Sequence, residues 1–509
     1  MKKLHIIISL LAMIVLVTSC FKDKSNYDYL SSEKITVTGV NASYDRISQV
    51  DSIVITPTVS STDATAQFSY FWGIYETNVQ GTAPKVDTIC KTKDLHYFVK
   101  QPAKTWVLVY GAKNKNTGYM QITTSTMNVI TQFTRGWYVL KDDGSKTDMD
   151  LFLTPTTITP TTVMTNVFSL LNGHKLDGKA KVMNFESGYK SYVTGALGNT
   201  RAMFIATDKD ASIINTNTML EIKNFNGCFY VPPTVKAPGT ICTGSSADYF
   251  VNDGQVYSIY SMSSNTGVFG NRQMKDAINT PYHVSDFYYT YLAYDPIFFD
   301  ETSSSFVSAG GAGTVLNTVT DAAGTAMKAN NNNKTLLFMG MKTTSSAVAV
   351  FQDKTIPTQK ILSQITTTVS AFKMVNDTLL SNSKLYTATK YTCNYVDEGM
   401  IYFVVGGNQV WSRNLVNKAE QLQYTAPAGE TINFIRHKKY TVGTTELPFN
   451  FNYIMVGTTI GTNYNVRMFT KTAGNLSTTP AFTLTGTGTA GDVFYLTPSV
   501  SYGTYQNSY

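Results

Sequence analysis

Charge is scarce in this chain. Of its 509 residues only 15% are Asp, Glu, Lys or Arg, against roughly 25% in ordinary soluble domains, while Thr, Asn, Gly and Tyr crowd the sequence. That composition favours strands and turns over helices. The formal charge is +7, and loss of Lys2 and Lys3 with a leader brings it to +5. The remaining basic residues are scattered, which argues against a nucleic-acid partner. Histidine is equally sparse: His5 falls in the leader, leaving His96, His174, His283 and His437 far apart. No H-E-x-x-H helix, G-x-S-x-G elbow or P-loop occurs, so no catalytic residue, metal or cofactor is assigned from sequence. Two Asp pairs, in "TDMD" (Thr147 to Asp150) and "TDKD" (Thr207 to Asp210), carry oxygen donors of the kind calcium takes, or serve as turn residues at hairpin ends. The cysteines beyond Cys20 are Cys90, Cys228, Cys242 and Cys393, with no zinc-knuckle or redox spacing. Cys228 and Cys242 flank a Pro/Gly loop and form the candidate disulfide; the alternative is four buried or idle thiols. After the leader no apolar run approaches the roughly 20 residues that span a membrane.

The leader itself is clear. Lys2 and Lys3 precede the apolar run Leu4 to Val17, and "VTSC" closes it, so residues 1–19 read as a signal peptide. Val17 to Cys20 resembles a bacterial lipobox, which implies cleavage before Cys20 and acylation of that residue as the lipid attachment site. Acyl chains in one leaflet would hold the body at a membrane surface. Residues 20–33 are polar and aperiodic, as suits a tether.

From Lys34 the pattern alternates at period two: "KITVTGV", "DSIVITPTVS", "AQFSYFWGIYE", "LHYFVK" and "TWVLVYGAKNKNTGYMQITTSTMNVIT". Strands broken by turns over about 100 residues predict a β-sandwich of immunoglobulin type at 34–132, with Trp72 as its central core residue. From Phe133 the chain stays strand-like. Units of apolar strand, Gly/Asn/Asp turn and apolar strand begin near Gly136, Arg201, Asp248, Ser305, Leu336, Gly399 and Phe451. This recurrence predicts a C-terminal β-propeller over 133–509, of seven blades, and "GDVFYLTPS" near the carboxy terminus is placed to close the ring. The competing architecture is a second and third sandwich. "GNRQMKDAINTPYHVSDF" promises a helical turn or two before Pro281. The aromatic stretch "DFYYTYLAYDPIFFD", Asp286 to Asp300, offers Tyr288, Tyr289, Tyr291 and Tyr294 as ligand or partner contacts, or as packing between blades.

"NYDY" soon after Cys20, "DSIVITP", Tyr70 to Trp72, the "NTGY" turn at Asn116 to Tyr119 and "F-x-x-GWYVL" at Phe133 to Leu140 together resemble the PKD-like surface lipoproteins of Bacteroidota. The resemblance covers about Cys20 to Phe152. It implies an all-β lipoprotein of the outer membrane facing the cell exterior, accessory to a SusC/SusD-like transporter and other surface lipoproteins. There it would help capture an oligopeptide or glycan. The alternative class is a propeller-fold glycosidase, lyase or peptidase acting on the same nutrient. That chemistry would bring paired carboxylates or a metal cluster together at the ring axis.

Overall fold

The computed structural model describes residues 33–76, 85–193, 195–260, 266–290, 295–310, 313–343, 345–368, 371–393, 399–441 and 446–500. Cys20, Tyr291 and Tyr294 lie outside them. The chain divides into two compact units, Met1–Val129 and Ile130–Tyr509.

The first unit is a two-layer β structure. One layer is a five-stranded sheet in the spatial order Ser43–Ile47, Met120–Ile130, Lys104–Asn114, Phe68–Glu76, Asp87–Cys90. Facing it are two strand pairs, Ile35–Thr38 with Thr58–Ser61 and Ser52–Ile55 with Leu95–Phe98. Ser52–Ile55 shows the cause in miniature: Ile53 and Ile55 are buried while Ser52 and Val54 are exposed, the period-two alternation of a half-buried strand. Trp72 is fully buried between the layers, 4.5 Å from the Tyr110 ring, and donates its indole N–H to the Lys93 carbonyl. A buried indole needs such a partner. Asn114 to Tyr119 makes the turn of the last hairpin, with Gly118 at φ +77°, a backbone conformation that glycine adopts without strain.

The second unit holds seven sheets of three or more strands among the described residues. The first contains Gly136–Asp142, Lys146–Leu153 and Thr162–Met164. Its inner edge is Thr489–Leu496, paired antiparallel to Gly136–Asp142. The second sheet starts at Ala180–Ser191, the third at Pro238–Thr243, the fourth at Val284–Tyr289, the fifth at Lys334–Thr343, the sixth at Lys390–Cys393 and the seventh at Thr431–Tyr440. Each of these leading strands lies against the leading strand of the next sheet, and the seventh lies against Thr489–Leu496. The series therefore closes on itself, and the unit is propeller-like. Sewing the end of the chain into the first sheet protects that sheet's edge and closes the ring with hydrogen bonds.

Close approach of leading strands fixes two glycines. A Cβ on Gly491 would sit 2.2 Å from the Ala180 carbonyl oxygen, and one on Gly239 would sit 2.1 Å from an Asp286 carboxylate oxygen. Trp137, from the aromatic run after the first unit, is fully buried and packs on Tyr495 at 4.6 Å and Phe451 at 4.9 Å. It thus ties the first sheet to its closing strand and to the seventh sheet.

The structure departs from the sequence reading in several places. The units recognisable in sequence begin mostly at the second strand of a sheet, as at Arg201, Asp248 and Phe451, because these strands contain continuous buried apolar runs such as Ala202 to Ala206, Tyr249 to Val251 and Tyr453 to Val456. The stretch before Pro281 is irregular rather than helical, since its polar groups are spent on turns, as where Asp276 accepts the amides of Ile278 and Thr280. A helix that the sequence reading did not anticipate, Val167–Asn172, follows the first sheet. Asp148 and Asp150 are not turn residues: both are buried in the strand Lys146–Leu153. Asp148 accepts the Ser169 amide and hydroxyl in the first turn of that helix, and Asp150 accepts the Asn166 amide just before it.

Candidate functional site

Charged residues inside strands are costly unless their neighbours compensate them. In the second unit they converge on one place. A cavity of about 430 Å³ is lined by Lys181 of the second sheet, Ser285 to Phe287 of the fourth, and Leu336 and Leu337 of the fifth. Lys390 and Tyr391 of the sixth, Asn433 to Arg436 of the seventh and Gly491 of the closing strand complete the wall. His283 and Glu301 stand at its edge. A smaller chamber of about 20 Å³ shares Arg436 with this cavity and adds Thr240 and Ile241 of the third sheet, Asn184, Tyr288, Lys438 and Asp492. Between them the two spaces are touched by the leading strands of the second to seventh sheets and by the closing strand, which puts them on the ring axis, the usual place for a propeller's central channel.

The polar groups there divide into satisfied and unsatisfied. Lys181 pairs with Asp286 at 2.7 Å and donates to the Pro238 carbonyl at 2.8 Å. Arg436 pairs with Asp492 at 3.1 Å, and the other Asp492 oxygen accepts the Met183 amide at 2.9 Å. Lys390 and Lys438 make no side-chain hydrogen bond among the described residues. Burial lowers the pKa of both; nearby Arg436 lowers both further, while Asp492 partly offsets the effect at Lys438. Thr240 is fully buried, and its hydroxyl has no hydrogen-bond partner among the described residues. Glu301 is pushed up, chiefly by burial.

A second group of interest lies between the second and third sheets. Glu186 and Asp248 are hydrogen-bonded to each other beside a cavity of about 260 Å³. Burial raises both carboxyl pKa values, and the charge of Glu186 raises that of Asp248 further. The Gly188 amide donates to Glu186 at 2.6 Å. A further groove of about 440 Å³ runs along Lys141, Asp142, Asp143, Lys175 and Thr487 to Thr489. Its charges are already engaged: Lys141 with Asp150 at 2.9 Å and Lys175 with Asp143 at 3.2 Å.

The residues singled out from sequence fare differently. Tyr288 and Tyr289 are buried rather than presented outward, because adjacent sheets close over both faces of their strand. The Tyr289 hydroxyl meets the Thr367 hydroxyl at 2.8 Å in the fifth sheet, while Tyr288 packs on Phe298 and borders the small chamber. The disulfide between Cys228 and Cys242 is not formed: both are free thiols in separate apolar clusters, Cys228 beside Phe225 and Phe250 and Cys242 beside Tyr249 and Val284. Burial pushes both thiols up, away from the reactive thiolate. The axial cations went unnoticed in the sequence. The available signal was "INFIRHKKY", a run of cations inside an otherwise apolar strand, in a chain so poor in charge.

Comparison with known proteins places a match to the PKD-like family over residues 20–180, the amino-terminal portion and the first sheet beyond it. None of the curated proteins compared with the chain matches it. Among solved structures, a quinonprotein alcohol dehydrogenase-like protein of Bacteroides thetaiotaomicron is 11% identical, with TM-score 0.40, over 90% of this chain and 97% of its own. A hypothetical selenium-binding protein of Sulfolobus tokodaii is 11% identical, with TM-score 0.44, over 72% and 96% respectively. An oligogalacturonate lyase, solved with manganese, is 11% identical, with TM-score 0.36, over 75% and 98%. At such distances the architecture rests on this chain's own strand pairing.

Proposed function

We propose that this chain is a non-enzymatic surface lipoprotein, anchored through Cys20 in the outer membrane and facing the exterior, that captures a nutrient for a SusC/SusD-like importer. In this reading each of the seven sheets is one blade, and the axial cavity is the capture site. The observation that carries it is the convergence of five leading strands and the closing strand on a cavity of about 430 Å³ with mixed apolar and charged walls, the size and lining of a small-ligand site. The lipobox-like Val17 to Cys20 and the PKD-like match over residues 20–180 support the address. The test is purification of the tagged chain from native membranes in mild detergent. A co-purifying TonB-dependent barrel with its capture lipoprotein is the expected result; recovery of the chain alone, at every detergent tried, overturns the importer association.

One observation favours a second reading. The Glu186 and Asp248 pair presents an acid and a carboxylate to its own cavity, the equipment of general acid and base chemistry. Turnover of an oligosaccharide or peptide by the isolated chain, lost in Glu186→Gln, would make the protein an enzyme and displace the first reading.

A further inference from the structure

Four cationic side chains and one buried hydroxyl line the axial cavities, and among the described residues two of the four cations have no carboxylate partner. Arg436 and Asp492 form a pair, Lys181 and Asp286 another, while Lys390 and Lys438 have no hydrogen-bond partner among the described residues. The titratable groups facing the cavities from every sheet are Lys181, His283, Asp286, Glu301, Lys390, Tyr391, Arg436, Lys438, Asp492 and Tyr288. Four of these are basic side chains and three are carboxylic acids, so basic groups outnumber acids. Half-buried ammonium groups without a counter-charge favour an anion beside them, and a fully buried hydroxyl with nothing to bond among the described residues costs stability. The two meet at one spot: Thr240 and Lys438 line the same chamber, whose volume of about 20 Å³ admits one water-sized group.

Resting on the reading of the axis as the capture site, we propose that the ligand carries a carboxylate, received at the bottom of the cavity by Lys390, Arg436 and Lys438, with one oxygen entering the chamber toward the Thr240 hydroxyl. Arg436 is already held by Asp492 and by the Ile435 carbonyl, so its guanidinium is fixed in place before the ligand arrives. Phe287 and Leu336 line the outer part and would contact the ligand's apolar body. The chamber is too small for a second residue of a polymer, so the carboxylate belongs to a terminal or side-chain group.

Calorimetric titration of the full mature chain tests this with four probes: a glucuronic-acid disaccharide, triglutamate, and two uncharged counterparts, maltotriose and amidated trialanine. At least one carboxylate probe is expected to bind, more weakly as salt is added. Its affinity should fall tenfold or more in Lys438→Met and in Lys390→Met, as expected for loss of a charged partner. Thr240→Val should weaken binding while leaving the chain at least as heat-stable as the wild type, since it removes an unpaired buried hydroxyl. Whichever carboxylate probe binds identifies the source as glycan or peptide. Equal binding of an uncharged probe, unaffected by the lysine variants, overturns the carboxylate inference and leaves axial capture standing. Binding that neither the lysine nor the Thr240 variants alter places the ligand elsewhere and overturns both. Absence of binding by all four probes overturns the carboxylate inference.

Discussion

The seam where the ring closes should depend on one carboxylate. Asp150 is fully buried and holds three groups at once: the Lys141 ammonium at 2.9 Å, the Asn166 amide at 2.8 Å and the Tyr464 hydroxyl at 2.7 Å. Lys141 and Asp150 belong to the first sheet and Tyr464 to the seventh, so the carboxylate joins the two sheets at the closure. Asp150→Ala leaves the Lys141 ammonium buried and unpaired, and breaking such a pair costs about 3–5 kcal/mol. Tyr464→Phe removes one hydrogen bond to a charged group, a loss of about 1.5–3 kcal/mol. The two should not add. Once Asp150 is gone the Tyr464 hydroxyl has already lost its acceptor, so the double variant should be milder than the sum by roughly 1–2 kcal/mol. In urea, with a slope near 3 kcal/mol per molar for a unit of this size, Asp150→Ala should lower the midpoint by about 1 M. Urea unfolding followed by circular dichroism on all four members of the cycle gives the coupling. Strict additivity, or an Asp150→Ala cost below about 1 kcal/mol, would refute the argument that this carboxylate ties the sheets together.

Other outcomes can be checked with the same material. Glu186 and Asp248 have folded pKa values raised above the ordinary carboxylate range of about 4. The folded state therefore binds the proton more tightly than the unfolded chain does, and the pair contributes stability that is complete below that range and is lost as pH rises through the raised values. Asp248→Asn should flatten this decline, seen as a smaller fall in melting temperature from acid to neutral pH; an unchanged slope would count against the raised values. In the first unit, Trp72→Ala should cost about 3–5 kcal/mol, because it empties a fully buried site and strands the Lys93 carbonyl. Hydrogen exchange on Phe68–Glu76 should accelerate accordingly, and unaltered protection there would contradict Trp72 as the keystone of that core.

Much of the architecture is written locally. Ser52–Ile55 alternates because its residues do, and the "DDGS" turn joins Gly136–Asp142 to Lys146–Leu153 with Asp142 opposite Thr147. The closing role of "GDVFYL" was also legible, and Thr489–Leu496 does pair with Gly136–Asp142 of the first sheet. The candidate site was not. Lys181, Lys390, Arg436 and Lys438 are separated by up to 257 positions (438 minus 181) and share no motif; what unites them is membership of leading strands. Nor was the burial of Tyr289 legible: a dense aromatic run resembles a binding surface until a neighbouring sheet closes over it, as the fifth does over Tyr289.

The sequence by itself thus determined strand, turn and hairpin, since period two and a Gly or Asn at a tight bend act over a few residues and need no distant partner. Only the tertiary structure decided which charges meet at the axis, which rings are buried, and that Cys228 and Cys242 lie in different cores. Those outcomes depend on how one sheet is turned against the next, and that angle is set by packing across the whole ring rather than by any segment of it.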